Sequence, residues 1–189
     1  MRLVQYALIS AVVAGFAGSA SADSKAGVTM PDSVKLADKQ LVLNGMGLRE
    51  ATIFKVDVYV AGLYLEAVSS DPAAIIASPG AKMLVLRFVR DVGRKDILKA
   101  WNEGFKNNAT VKLTAIQPLI DQLNSWMGDF DDGSTLIFTY VPGTGVEVLV
   151  NKTRKGVLNN DDFARSLFAI WLGPKPPTGD LKRGLLGKH

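Results

Sequence analysis

The sequence predicts an α+β fold, an antiparallel-rich sheet with helices packed on one side. Three observations predict it. Apolar, β-branched and aromatic runs of strand length occupy the first half of the chain. Two segments with helical spacing follow them, and then a two-run hairpin pattern leads into one last helix. No internal repeat and no linker divides the chain, so one domain is expected.

Residues 23–32, "DSKAGVTMPD", are polar with Gly and Pro and read as a loose leader, extended to residue 39. "KLADKQLVLNG" reads as a short strand ending in a turn at Asn44-Gly45. From Ile53 to Leu65 nearly every residue but Lys55 and Asp57 is apolar, with Tyr59, Ala61, Leu63 and Leu65 on one face and Val56, Val58, Val60, Gly62 and Tyr64 on the other. A strand apolar on both faces is covered on both, by helices on at least one. "SSDPAAIIASPG" is a short capped helix, and "KMLVLRFV" is a strand.

"GRKDILKAWNEGFKNN" carries apolar residues at 97, 98, 101 and 105, and "TAIQPLIDQLNSWM" repeats that spacing; both are amphipathic helices. "TLIFTYVPGTGVEVLVN" is a hairpin. "RKGVLNNDDFARSLFAIWLG" begins as a strand and becomes a helix capped by Asn159 or Asn160, with Asp161 and Asp162 in its first turn. Residues 176–189 form a Pro/Gly-rich basic tail, whose order the sequence leaves open.

The N-terminus reads as a secretory signal peptide: Met1-Arg2, an apolar run, and Ala20-Ser21-Ala22 as a small-residue end. The apolar run is shorter than the ~20 residues a spanning helix needs. Cleavage after Ala22 is expected to give a periplasmic or secreted protein with no stable membrane anchor. Removing 22 of 189 residues leaves 167, and the 22 basic residues become 21 without Arg2, against 18 acidic ones. That near-neutral balance, with no basic stripe among aromatics, argues against a nucleic-acid partner.

Composition also removes much chemistry. Without cysteine there are no disulfides or thiolates, and the single histidine is the terminal His189. Histidine triads and the usual zinc sites are excluded, and no metal or cofactor is expected. "GDFDDGS" lacks the ligand spacing of a calcium loop. "NGMG" has no following helix to make a phosphate cradle, and the glycines read as a tight turn.

Two positions carry more. Arg49 lies between that turn and a strand buried on both faces; it either pairs with an acid such as Glu50 or Asp57 or meets an anionic ligand. Asn108 is seven residues from Trp101 and three from Phe105, on their apolar helix face. It either caps the helix end or serves a ligand, because an unpaired buried amide costs about 1–3 kcal/mol.

"GMGLR", "VAGLYLE", "RFVRDV" and "AWNEGFKNN", in that order, resemble the chalcone isomerase superfamily in its bacterial chalcone isomerase-like branch, over residues 40–175. The resemblance implies an open-faced β-sandwich, a large antiparallel sheet against a layer of helices. Arg49 matches the arginine that meets the substrate oxyanion in the family's enzymes. Tyr59 stands where they carry a threonine, Trp101 where they carry a tyrosine, and Asn108 matches their asparagine. The later threonine falls near Phe163-Ala164, neither of which has a hydroxyl.

Indole donates a hydrogen bond but cannot accept one, so exchanging tyrosine for tryptophan breaks a proton relay. The superfamily also contains non-catalytic fatty-acid binders. The resemblance therefore implies a small amphipathic acid, such as a fatty acid, held in the sheet–helix cleft through Arg49, with Tyr59, Trp101 and Asn108 as ligand-binding candidates. The alternative is an isomerase or intramolecular lyase, with Arg49 stabilising an oxyanion and Tyr59 and Asn108 assisting. A partner-binding envelope protein follows if Arg49 is paired within the protein and no cavity exists.

Overall fold

The computed structural model of the chain describes residues 23–51 and 56–188. The expected signal peptide, the start of the strand placed at Ile53, and His189 lie outside the described residues. Seven strands form one antiparallel meander in sequence order: β3 (Ser33–Leu36), β4 (Lys39–Ala51), β5 (Val56–Leu65), β6 (Lys82–Phe88), β7 (Thr135–Val141), β8 (Gly145–Val150) and β9 (Thr153–Leu158). Helices α1 (Pro72–Ala77), α2 (Arg94–Asn108), α3 (Leu113–Trp126), α4 (Asp161–Leu172) and α5 (Gly179–Leu185) complete the chain. Among the described residues no helix is long and apolar enough to cross a membrane.

The caps fall where the side chains allow. Asp71 accepts from the Ala73 and Ala74 amides at the start of α1, and Asn160 accepts from Phe163 at the start of α4. Lys82 closes the other end of α1 by donating to the Ile75 and Ser78 carbonyls, both at 2.8 Å. Desolvation, with Arg165 adding repulsion, pushes its amine down to about 8.

The two faces of β5 go to two different covers. Tyr59, Ala61, Leu63 and Leu65 join the main core with Phe105 of α2 and Phe163, Phe168 and Trp171 of α4. On the other face Val60 packs with Met46 and with Val28 and Met30. Those last two belong to β2 (Val28–Met30), which forms a hairpin with β1 (Asp23–Lys25). The expected loose leader is thus an ordered cover. Gly62 makes room for it, since a Cβ there would lie 2.2 Å from the Met30 sulfur.

The turn expected at Asn44-Gly45 is also corrected: β4 runs straight through it. Its pairing with β5 shifts register between Leu43 and Gly45, which leaves Asn44 as an inserted bulge residue. The Asn44 amide donates to the Leu185 carbonyl at 2.7 Å and to the Ser69 carbonyl at 3.0 Å, and its oxygen accepts from the Ser69 amide. The glycines that resembled turn residues serve a close approach. A Cβ on Gly45 would lie 2.2 Å from the Gly184 carbonyl oxygen, and one on Gly47 would lie 2.3 Å from that of Leu181. Helix α5 therefore lies backbone to backbone on β4, and the C-terminal segment is part of the fold.

Candidate functional site

The bulge at Asn44 decides what Arg49 faces. Strand side chains alternate with period two, so one inserted residue moves every later side chain to the other face. Leu43 is on the hairpin side with Tyr64, its partner in register. Beyond Asn44, Gly45, Gly47 and Arg49 oppose Leu63, Ala61 and Tyr59, all on the helix side. Without the insertion, Arg49 would emerge on the hairpin side, and Met46 and Leu48 would turn to the helix side. A second shift, between Arg49 and Glu50, leaves Val58 unpaired in that ladder and interrupts the regular pairing beside the site.

Arg49 and Tyr59 line one cleft of about 670 Å³ with Trp101. Phe88 and Tyr59 give it an aromatic side, Ile97 and Trp101 of α2 face it, and Ile170 of α4 with Pro176-Pro177 closes it beyond. Its rim is charged, with Arg90, Asp96, Lys99 and Glu103 among the lining residues. Asp57 and Glu50 were the candidate partners of Arg49. Among the described residues the ion pairs are Lys39–Glu66, Arg154–Glu147, Arg165–Asp162 and Arg183–Asp180, and none includes Arg49. Among the described residues its one hydrogen bond goes to the Glu50 backbone carbonyl, which satisfies one donor of five and no charge.

Tyr59 is 5% exposed, and its hydroxyl oxygen accepts from Trp171 Nε1 at 3.0 Å. Burial pushes the phenol up to about 12, against smaller opposing effects of the Trp171 hydrogen bond and the nearby Arg49 charge. It therefore keeps its proton across neutral pH, and among the described residues that proton meets no acceptor. Trp101 is 3% exposed, and its Nε1 likewise finds no acceptor among the described residues. A buried donor left without a partner costs about 1–3 kcal/mol. Guanidinium, phenol and indole thus bring three donors to one cleft, with unused capacity in each.

Asn108 stands apart from them. Its amide donates to the Gly104 carbonyl at 3.0 Å and the Lys175 carbonyl at 2.9 Å, and its oxygen accepts from the Lys175 amide at 2.9 Å. It ties the end of α2 to the segment after α4, and its neighbour Asn107 reaches the cleft instead. The face-sharing argument placed it correctly among buried residues, but the partner it needs is backbone. Asn108→Ala should cost about 2 kcal/mol of stability while leaving the ligand affinity of the folded protein unchanged. Chemical denaturation run beside a binding titration checks both halves, and an affinity loss without a stability loss would return Asn108 to the site.

Sequence reasoning passed over Trp171, which lay inside an apolar helix. The available signal was general: a buried tryptophan N–H usually finds a partner.

A family model described as chalcone isomerase-like matches residues 22–187. The chain belongs to the chalcone isomerase-like family. No curated protein matches the sequence. Among solved structures, this chalcone isomerase-like chain is similar to the crystal structure of a fatty-acid binding protein from Arabidopsis thaliana, with a TM-score of 0.68 over 88% of this chain and 96% of that one. The two are 16% identical, so the likeness carries the fold. That fold is the α+β sheet-and-helix arrangement the sequence predicted.

Proposed function

We propose that this chalcone isomerase-like protein is a non-catalytic carrier of a small amphipathic acid, with a fatty acid as the ligand class. The carboxylate lies between the Arg49 guanidinium, the Tyr59 hydroxyl and the Trp101 indole N–H, and the apolar body lies along Phe88, Ile97 and Ile170. One observation carries the reading: three donors share a cleft and have no acceptor for their remaining capacity among the described residues. A carboxylate is acceptor-only and can take a bidentate arginine as well as a phenol proton. The name of the structural neighbour, a fatty-acid binding protein, supports the same ligand class here.

Export belongs to the proposal. The charged start, apolar run and Ala20-Ser21-Ala22 end support cleavage after Ala22 and a periplasmic or secreted carrier. Native mass spectrometry of protein purified from its own envelope fraction tests both at once. The expected species starts at Asp23 and carries an acidic lipid of stoichiometry one. Protein that arrives empty and takes up no added fatty acid would end the carrier reading.

The isomerase reading draws on one observation, the presence of Tyr59 and Arg49 in the same cleft. With its proton held, Tyr59 would serve there as a donor to an oxyanion and not as a base. A chalcone offered to wild type, Arg49→Gln and Tyr59→Phe decides it. Cyclisation by wild type that falls in both variants would replace the carrier.

A further inference from the structure

We infer that Trp171 is a positioning residue for ligand recognition: its indole N–H fixes the direction in which Tyr59 offers its hydroxyl proton. The inference rests on the carrier reading above. A phenol O–H lies near its ring plane and chooses between two directions. Trp171 Nε1 donates to the Tyr59 oxygen at 3.0 Å, from a residue only 1% exposed. A donor arriving from one side repels the hydroxyl proton from that side, so the proton turns to the other. Tyr59 lines the cleft and stands directly across the strand pair from Arg49.

The indole is itself held in place. Its ring packs edge-on against Trp101 at 5.5 Å and at a tilt against Phe138 at 5.9 Å between centroids. Helix α4 thus sets the polarity of a side chain on β5, and Arg49, Tyr59 and Trp101, inside the mixed-charge rim, present donors to the head of the ligand. Ionised carboxylates are favoured over alcohols, and ammonium heads, which have no lone pair to offer, are rejected.

The test is a double-mutant cycle on laurate binding, with Tyr59→Phe, Trp171→Phe and the pair together, all in the full-length mature chain. Trp171→Phe should weaken laurate about fivefold in the wild-type background and leave it unchanged in the Tyr59→Phe background, because the indole acts only through the hydroxyl. The same substitution should narrow the preference for laurate over dodecanol. If Trp171→Phe fails to fold, benzothienylalanine at position 171 keeps the ring shape and removes only the N–H.

In the ligand-free protein the Trp171 indole N–H resonance should move on Tyr59→Phe, a change that packing alone would not produce. Equal losses in both backgrounds, or an unmoved resonance, would overturn the positioning role and leave the carrier intact. A wild type that binds no laurate would overturn the carrier and this role together.

Discussion

Arg49→Gln should weaken fatty-acid binding about 50-fold while leaving the protein as stable as the wild type. The first half follows from the charge. A hydrogen bond to an ionised group contributes about 1.5–3 kcal/mol, and 1.4 kcal/mol is tenfold in affinity. Glutamine keeps a donor of similar reach but removes the charge and the two-pronged geometry. The second half follows from the absence of an ion pair between Arg49 and the described carboxylates. Among the described residues only the bond to the Glu50 carbonyl is lost.

A fluorescent fatty-acid displacement titration, paired with thermal melts, reads both halves. Dodecanol serves as the control and should bind both proteins alike. Wild-type affinity should itself fall below about pH 5, as the ligand carboxyl takes up a proton near the usual carboxylate range. Affinity indifferent to Arg49→Gln would move the head group elsewhere in the cleft.

The second large effect concerns the fold that aims Arg49. Gly47→Ala should destabilise the protein by about 3 kcal/mol, because overpacking a tight contact costs about 1–3 kcal/mol and more against backbone. The added methyl would sit 2.3 Å from the Leu181 carbonyl oxygen and 2.8 Å from its Cδ1. Neither the helix backbone nor β4, paired on both sides, can yield alone, so α5 must lift. For a chain of this length the loss corresponds to a fall of about 9 °C in Tm.

Limited proteolysis should then cut first between Pro177 and α5, and the Asn44–Leu185 hydrogen bond should open with it. Gly128→Ala is the control, since a methyl there meets nothing within 4 Å. A Gly47→Ala protein that melts with the wild type and keeps α5 protected would show that the strand and helix can separate cheaply.

The fold class was legible because it depends on periodicity. The amphipathic spacing of α2 and α3, the hairpin of β7 and β8, and the two faces of β5 each follow from residues close together in sequence. Arg49, Tyr59 and Trp101 could be named for the same reason combined with the family motif, and they do share a cleft. Besides the leader and Trp171, two positions were not legible. Asn44-Gly45 is good turn chemistry read locally. It becomes a bulge because β4 continues and α5, some 140 residues later, supplies a carbonyl for the asparagine. Asn108 was equally ambiguous, since a buried amide calls for partners without saying whose. In both cases the deciding atoms are backbone groups far away in the chain, and backbone leaves no trace in a residue pattern.

The docking of α5 on β4 also has a temporal side. The fourth strand of the chain is finished only by its last helix, through a contact spanning 141 residues. Closing so long a loop is entropically costly, and contacts of this kind slow folding. A chain emerging from its N-terminus can assemble the meander, but the bulge that turns Arg49 inward lacks its final partner until the last dozen residues arrive. The proposed ligand site thus comes into being only once α5 has been made.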